Sequence, residues 1–221
     1  MGRRIRRHAD PFQCRIVISA DEWLGPYRRH GAGHIWLDLG CGKGEFLAGL
    51  AGLYPDVFLI GIEIRGKIAE AYFPKYKHIP NLLLLHGNVN LSIPSMMDHL
   101  KVQRVFIHFP DPYTHKDRYK KRRMVNRGLV KGLCEILAPG GTVSVKTDDG
   151  TLFDEMDAVL KTRLAPLPEG FLRPCFEKVL SEWEGECKGK HVPVYSRIYG
   201  LTAGAIGEDS SFTELADFLE S

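Results

Sequence analysis

The stretch Ile35-Trp36-Leu37-Asp38-Leu39-Gly40-Cys41-Gly42-Lys43-Gly44 decides the fold. Its first half is an apolar strand carrying a carboxylate near its end. Its second half is a glycine turn, which lets the chain reverse tightly and lets a ligand approach the backbone closely. Phe46, Leu47, Leu50, Ala51 and Tyr54 then recur at helical spacing. Outward from this unit the same rhythm repeats. Val57 to Glu63 is a continuously apolar strand, as expected for burial on both faces, and a helix follows from Lys67 until Pro74 interrupts it. Leu82 to His86 is a third strand, and a short helix near Met96 to Leu100 precedes a fourth at Val105 to Phe109. Val125, Leu129, Val130, Leu133, Ile136 and Leu137 give a long helix one apolar face, and Pro139-Gly140-Gly141 stops it. Thr142 to Lys146 is a fifth strand, followed by a helix through Phe153, Met156 and Val159. Such alternation predicts an α/β fold, a parallel sheet with helices on both faces. Phe176 to Leu180 and Val194 to Tyr199 read as an antiparallel pair closing one edge.

With 221 residues and no repeat or low-complexity linker, one domain is expected over 1–221. It carries a basic N-terminal arm and helix over 1–30, with Arg3, Arg4, Arg6 and Arg7, and an acidic tail over 203–221. No run approaches the roughly 18 apolar residues of a membrane span, and no apolar segment follows the N-terminal arginines as in a secretory signal. The five cysteines, Cys14, Cys41, Cys134, Cys175 and Cys187, form no C-x-x-C pair, and the nine histidines form no H-E-x-x-H pattern. Reduced thiols, no metal and a cytoplasmic location are the expectation. The net charge of +3 decides nothing about partners, but its distribution does, because cations concentrate between Lys116 and Lys131.

That cationic block follows Phe109-Pro110-Asp111-Pro112-Tyr113. Two prolines fix φ and remove two donors, making a stiff corner around one acid at the end of the fourth strand. Open α/β sheets bind ligands at the carboxyl ends of their strands. Read as the start of the long helix, Arg118, Lys120, Lys121, Arg122 and Arg123 are electrostatically unfavourable, because a helix N-terminus favours anions nearby. RNA phosphates are the expected counter-charge.

The glycine turn departs from the dinucleotide pattern G-x-G-x-x-G, since Glu45 stands where the third glycine belongs. An acid there opposes a phosphate. Asp38 adds another carboxylate, and Glu63 closes the second strand where an acid meets ribose hydroxyls. Two acids and no phosphate site favour S-adenosylmethionine, which carries an amino and a sulfonium group, over NAD.

Taken in order, these motifs resemble the bacterial tRNA (guanine-N7-)-methyltransferase family. The resemblance rests on Asp38 to Gly44, Gly61-Ile62-Glu63-Ile64, Phe109-Pro110-Asp111-Pro112, Lys120 to Arg123, Pro139-Gly140-Gly141, Thr147-Asp148 and Ser181-Glu182-Trp183-Glu184, and it covers about residues 34 to 200. It implies a class I methyltransferase (Rossmann-like) fold, S-adenosylmethionine as donor, and methylation of a guanine N7 in the tRNA variable loop. By position it implies Asp38, Gly40, Gly42, Gly44, Glu63, Asn88 and Asp111 for the cofactor. Asp111 is the implied catalytic residue, and Lys116, Asp148, Ser181 and Glu184 are implied for the substrate. Three departures stand out. Tyr113 replaces the usual Trp. One extra residue lies between Asp111 and the basic run, which displaces the substrate lysine. Asn88 and Ser181 stand where Asp and Thr are common.

The chemistry suits these residues. Guanine N7 presents an in-plane lone pair and no proton, so alignment matters more than a base. Asp111 or Asp148 can stabilise the positive charge that develops on the purine. Asp148 can equally cap the helix after the fifth strand. Tyr113 and Trp183 can stack on an extruded base, and Trp183 fits core packing equally well. Two other readings share the glycine turn or the cationic run: a class I methyltransferase for a small molecule or protein, and a non-catalytic RNA-binding module. The expected partner is tRNA, with no membrane, and the chain is a monomer or homodimer.

Overall fold

The computed structural model describes residues 10–96, 99–113, 117–168 and 179–201. The chain enters through α1 (Ala20–His30), whose start is fixed by Glu22 accepting from the Ser19 backbone N–H at 2.8 Å. It continues through β1 (His34–Leu39), α2 (Glu45–Leu53), β2 (Val57–Glu63), α3 (Gly66–Tyr72) and a 3₁₀ turn at Phe73–Tyr76. Next come β3 (Leu82–His86), α4 (Val89–Met96), β4 (Val102–His108) and a 3₁₀ turn at Asp117–Arg122. The remainder is α5 (Arg127–Ile136), β5 (Leu137–Thr147), α6 (Gly150–Leu160), β6 (Leu164–Pro166), α7 (Glu182–Gly189) and β7 (Tyr195–Leu201).

Among the described residues seven strands form one sheet in the order β3-β2-β1-β4-β5-β7-β6, with β7 antiparallel to both neighbours. Crossing back from β1 to β4 puts the turning point of the topology between them, where ligands of open α/β sheets collect. Every residue of β2 is buried, as its unbroken apolar run requires. Alternation along β1 sends Ile35, Leu37 and Leu39 into the larger core, with Trp23, Ile93, Leu133 and Met156. Trp36 faces a second core on the other side, built with Phe46, Leu47, Leu50 and Phe106. Helices therefore cover both faces.

Three elements differ from the sequence reading. The short helix before β4 runs over Val89–Met96, not Met96 to Leu100, because Asn88 starts it: the N–H of Asn90 donates to Asn88 Oδ1 and that of Ser92 to the Asn88 carbonyl. The basic run does not begin α5. It forms its own 3₁₀ turn, and α5 starts at Arg127 behind the Asn126 side chain, which accepts from the Leu129 N–H. The electrostatic premise that placed these cations on a helix N-terminus therefore falls. The antiparallel partner of β7 is β6, not Phe176 to Leu180. Of that segment, 176–178 lie outside the described residues, and Val179 and Leu180 are not strand. Three residues ending in a proline are too few to show a period of two.

Gly61 sits where β2 passes beneath the glycine turn. A Cβ there would stand 2.7 Å from Leu84 Cδ2 and 2.8 Å from both Cys41 Sγ and Leu47 Cδ1. Three neighbours cannot all withdraw from a packed core. Gly61→Ala is expected to lower stability by about 1–3 kcal/mol, read from urea unfolding. An unchanged midpoint would show that this junction is loosely packed.

Candidate active site

Loops at the carboxyl ends of β1, β2, β4 and β5, with α7 on the other side, surround a cavity of about 1300 Å³. The glycine turn forms its floor. Gly40, Gly42 and Gly44 all have positive φ, at 86°, 57° and 83°, values that L side chains adopt with strain. Gly40 and Gly42 line the cavity and keep its backbone bare. Gly44 does not line it. It precedes α2, and a Cβ there would stand 2.4 Å from Leu84.

Asp38 is 4 % exposed and lies under the turn without lining the cavity. Burial, and then the charge of Glu63, push its carboxyl up to about 8. Glu63 is 2 % exposed and does line the cavity. Its Oε2 accepts from the Gly42 N–H at 2.9 Å, tying the turn to the end of β2. Arg65 closes on the same carboxylate through Nε and Nη2, at 2.9 and 3.1 Å. Asn88, past β3, reaches the cavity too, but its Nδ2 donates to the carbonyls of Pro11 and Cys14. It anchors the segment before α1 at the rim, a use no sequence pattern signals.

Asp111 faces the cavity from the corner after β4. The corner is wound more tightly than its prolines alone demand. Phe109 and Tyr113, on either side of Pro-Asp-Pro, have φ of 50° and 44°. Such values in aromatic residues mark backbone strain of the kind that gathers at functional sites. The Phe109 N–H donates to the Lys146 carbonyl at 2.7 Å, and Arg123 Nε donates to the Pro112 carbonyl at 2.9 Å, so both ends of the corner are held.

After β5 the ambiguity of Asp148 resolves. Asp149 caps α6 by accepting from the Leu152 N–H at 2.9 Å, which leaves Asp148 lining the cavity. Ser181 lines it as well, while its Oγ caps α7 by accepting from the Glu184 N–H. Glu184 does not line it. It pairs with Lys146 at 2.7 Å, the two side chains being 14 % and 10 % exposed. The sequence reading expects Glu184 to meet substrate; in this arrangement it neutralises a lysine that β5 holds out of solvent. Lys116 lies outside the described residues.

The basic turn is partly spent on internal acids. Arg123 and Lys120 pair with Glu155, and Arg122 pairs with Asp10 at 3.2 Å. Arg118 lies over the Tyr119 ring, and the Lys121 ammonium stands 5.9 Å from the centroid of Phe12. Arg122 also lines the cavity, so one residue of the cationic turn shares the opening with the strand-end acids. Tyr113 and Trp183 border the same space. His108 and Arg65, which the sequence reading passed over, border it too. Burial, and then Lys146, hold the His108 imidazole well below its usual range, so it is neutral at pH 7. Their signal was position alone, one residue before the Phe-Pro-Asp-Pro corner and two after the strand-end acid. Among the described residues no group of three His, Cys, Asp or Glu side chains could hold a metal, and no helix is long and apolar enough to cross a membrane.

Solved structures share the fold. The aminoglycoside resistance methyltransferase NpmB1 matches with a TM-score of 0.57 and 18 % identity, over 84 % of this chain and 95 % of its own. Strand order and glycine turn together give the Rossmann-like α/β fold that this methyltransferase also has. A family model described as "Putative methyltransferase" matches residues 32–167. The tRNA (guanine-N(7)-)-methyltransferase of Thermosynechococcus vestitus is 34 % identical over 66 % of this chain and 69 % of its own length. That of Synechococcus elongatus is 29 % identical over 89 % and 95 %. The chain belongs to the tRNA (guanine-N7-)-methyltransferase family.

The raised carboxyl of Asp38 makes a pH prediction. An unfolded Asp titrates near about 4, and the folded one near 8. The folded state therefore holds the extra proton between those values, and stability falls as pH rises through that window. Urea midpoints measured from about pH 5 to 8 should decline in the wild type and decline less in Asp38→Asn. Equal slopes would place the proton elsewhere.

Proposed function

We propose that this chain transfers a methyl group from S-adenosylmethionine to N7 of a guanine in tRNA, and that residues 1–221 act as one catalytic unit. The observation that carries the reading is the shared opening: Gly40 and Gly42 of the glycine turn, the acids Glu63, Asp111 and Asp148, and Arg122 of the cationic turn all border one cavity. The residues fit the donor. Gly40 and Gly42 leave room against the backbone, and carboxylates face a ligand that is positive at its amino and sulfonium groups. Glu63 would take the ribose hydroxyls, and Asp111 the positive end. Asp38 lies beneath the turn, protonated and out of contact with the cavity.

The donor supplies an electrophilic methyl carbon on sulfur. Guanine N7 supplies its own electron pair, so no side chain has to remove a proton. The neutral His108 and the capped Ser181 are consistent with a site that aligns reactants without a general base. The strained corner fixes Asp111, and Asp148 approaches from the neighbouring strand end. Both carboxylates are placed to stabilise charge as it moves onto the purine. Tyr113 and Trp183 offer aromatic faces for a base drawn out of its stack.

The internal pairing divides the cations by role. Arg123 braces the corner through Pro112 and Glu155, whereas Arg118 and Lys121 present charge outward. Phosphate contacts position RNA but do not read its sequence. Arg118→Ala and Lys121→Ala should each flatten the dependence of log affinity for tRNA on log salt by about 0.9, measured by filter binding across a salt series. Slopes matching the wild type would remove both from the interface.

Incubation with labelled donor and unmodified tRNA, followed by nucleoside analysis, should yield N7-methylguanosine. Asp111→Ala should retain part of its donor binding and lose about a hundredfold or more in turnover. Label in another nucleoside, in protein, or in nothing at all would refute the assignment.

A further inference from the structure

The Glu63 carboxylate is fully occupied. Oε1 accepts from the Arg65 backbone N–H at 2.8 Å and from Arg65 Nε at 2.9 Å. Oε2 accepts from the Gly42 N–H at 2.9 Å and from Arg65 Nη2 at 3.1 Å. A carboxylate offers about four acceptor positions, and all four are filled. Two of the donors are backbone groups, fixed by the end of β2 and the glycine turn. The other two belong to one side chain that is 38 % exposed and can move. The same guanidinium stands beside the floor: Arg65 Nη2 lies 3.8 Å from where a Cβ on Gly42 would stand, an ordinary van der Waals distance. Asp111 also favours its charge, after Glu63 itself, so a cation stands within the field of two of the acids that face the cavity.

A ribose diol needs acceptors on this carboxylate, and the positions it can take are those held by Nε and Nη2. Building on the donor reading above, we propose that Arg65 is a placeholder for S-adenosylmethionine. Its guanidinium occupies the ribose-binding oxygens of Glu63, beside Gly42, and it must swing away before the donor can seat. Arg65 is a positioning residue in this scheme. It keeps Glu63 aimed while the site holds no donor, and it lowers apparent donor affinity by the fraction of molecules in which it is docked.

The test is calorimetric titration with S-adenosylhomocysteine, accompanied by thermal melts with and without it, on wild type, Arg65→Gln, Arg65→Lys and Glu63→Gln. In Arg65→Gln the backbone donors of Gly42 and residue 65 still hold Glu63. The ligand-free melting temperature should therefore fall, while the ligand binds about tenfold more tightly if the docked state is favoured tenfold. Arg65→Lys, with a point charge in place of the fork, should fall between. A merely structural role cannot give tighter binding together with lower stability. Unchanged or weaker binding in Arg65→Gln, with binding lost in Glu63→Gln, would overturn the placeholder and keep the donor site. No binding to the wild type would overturn both.

Discussion

One hydrogen bond, from the Gly42 N–H to Glu63 Oε2, ties the loop after β1 to the last residue of β2. Much of the site follows from it. The bond aims a nearly buried carboxylate at the cavity floor and holds the glycine turn in its left-handed course. It also brings a second carboxylate, Asp38, within range of the first. Two acids so close in a dry setting cannot both keep full charge without a cation. The fold answers in two ways: Asp38 holds its proton to about pH 8, and Arg65 clamps Glu63. A site with one acid protonated and the other clamped is electrically prepared for a positively charged ligand. The sheet gains from the same geometry, because Gly61, below the turn, is the residue that lets Cys41, Leu47 and Leu84 meet.

The corner at Asp111 obeys a different constraint. Two prolines remove the N–H groups that would otherwise continue pairing beyond β4, and two aromatic residues then accept left-handed backbone angles. Strain of that kind persists only where surrounding contacts over-determine it. Those contacts are the Phe109–Lys146 backbone bond on one side and Arg123 on the other, itself paired with Glu155 of α6. The basic run thus has a structural duty as well as an electrostatic one. Part of it stiffens the loop that presents the acid, and part of it faces outward.

How far the sequence could be read depends on what each feature required. Buried strands announce themselves, since β1 to β5 need apolar runs and little else. The glycine turn and the acid two residues past Gly61 were legible because backbone conformation and charge leave few alternatives. Features that depend on pairing were not. Asp148 and Asp149 are interchangeable as helix caps until the helix start is known, and Glu184 could not be separated from the site until Lys146 was seen beside it. The basic run misled for the same reason. Its charges invite an external anion, yet Glu155 and Asp10 arrive from α6 and from the chain ahead of α1. Long-range partners leave no local periodicity. β6, at three residues, leaves none either.

Family membership and physical reading carry different weights at this site. Relatives identify the reaction class, and the structure says which residues border the cavity. Asp111 and Asp148 reach the cavity with their helix-capping alternatives excluded or absent. Ser181 reaches it with its oxygen already given to α7, and Glu184 is turned to a lysine.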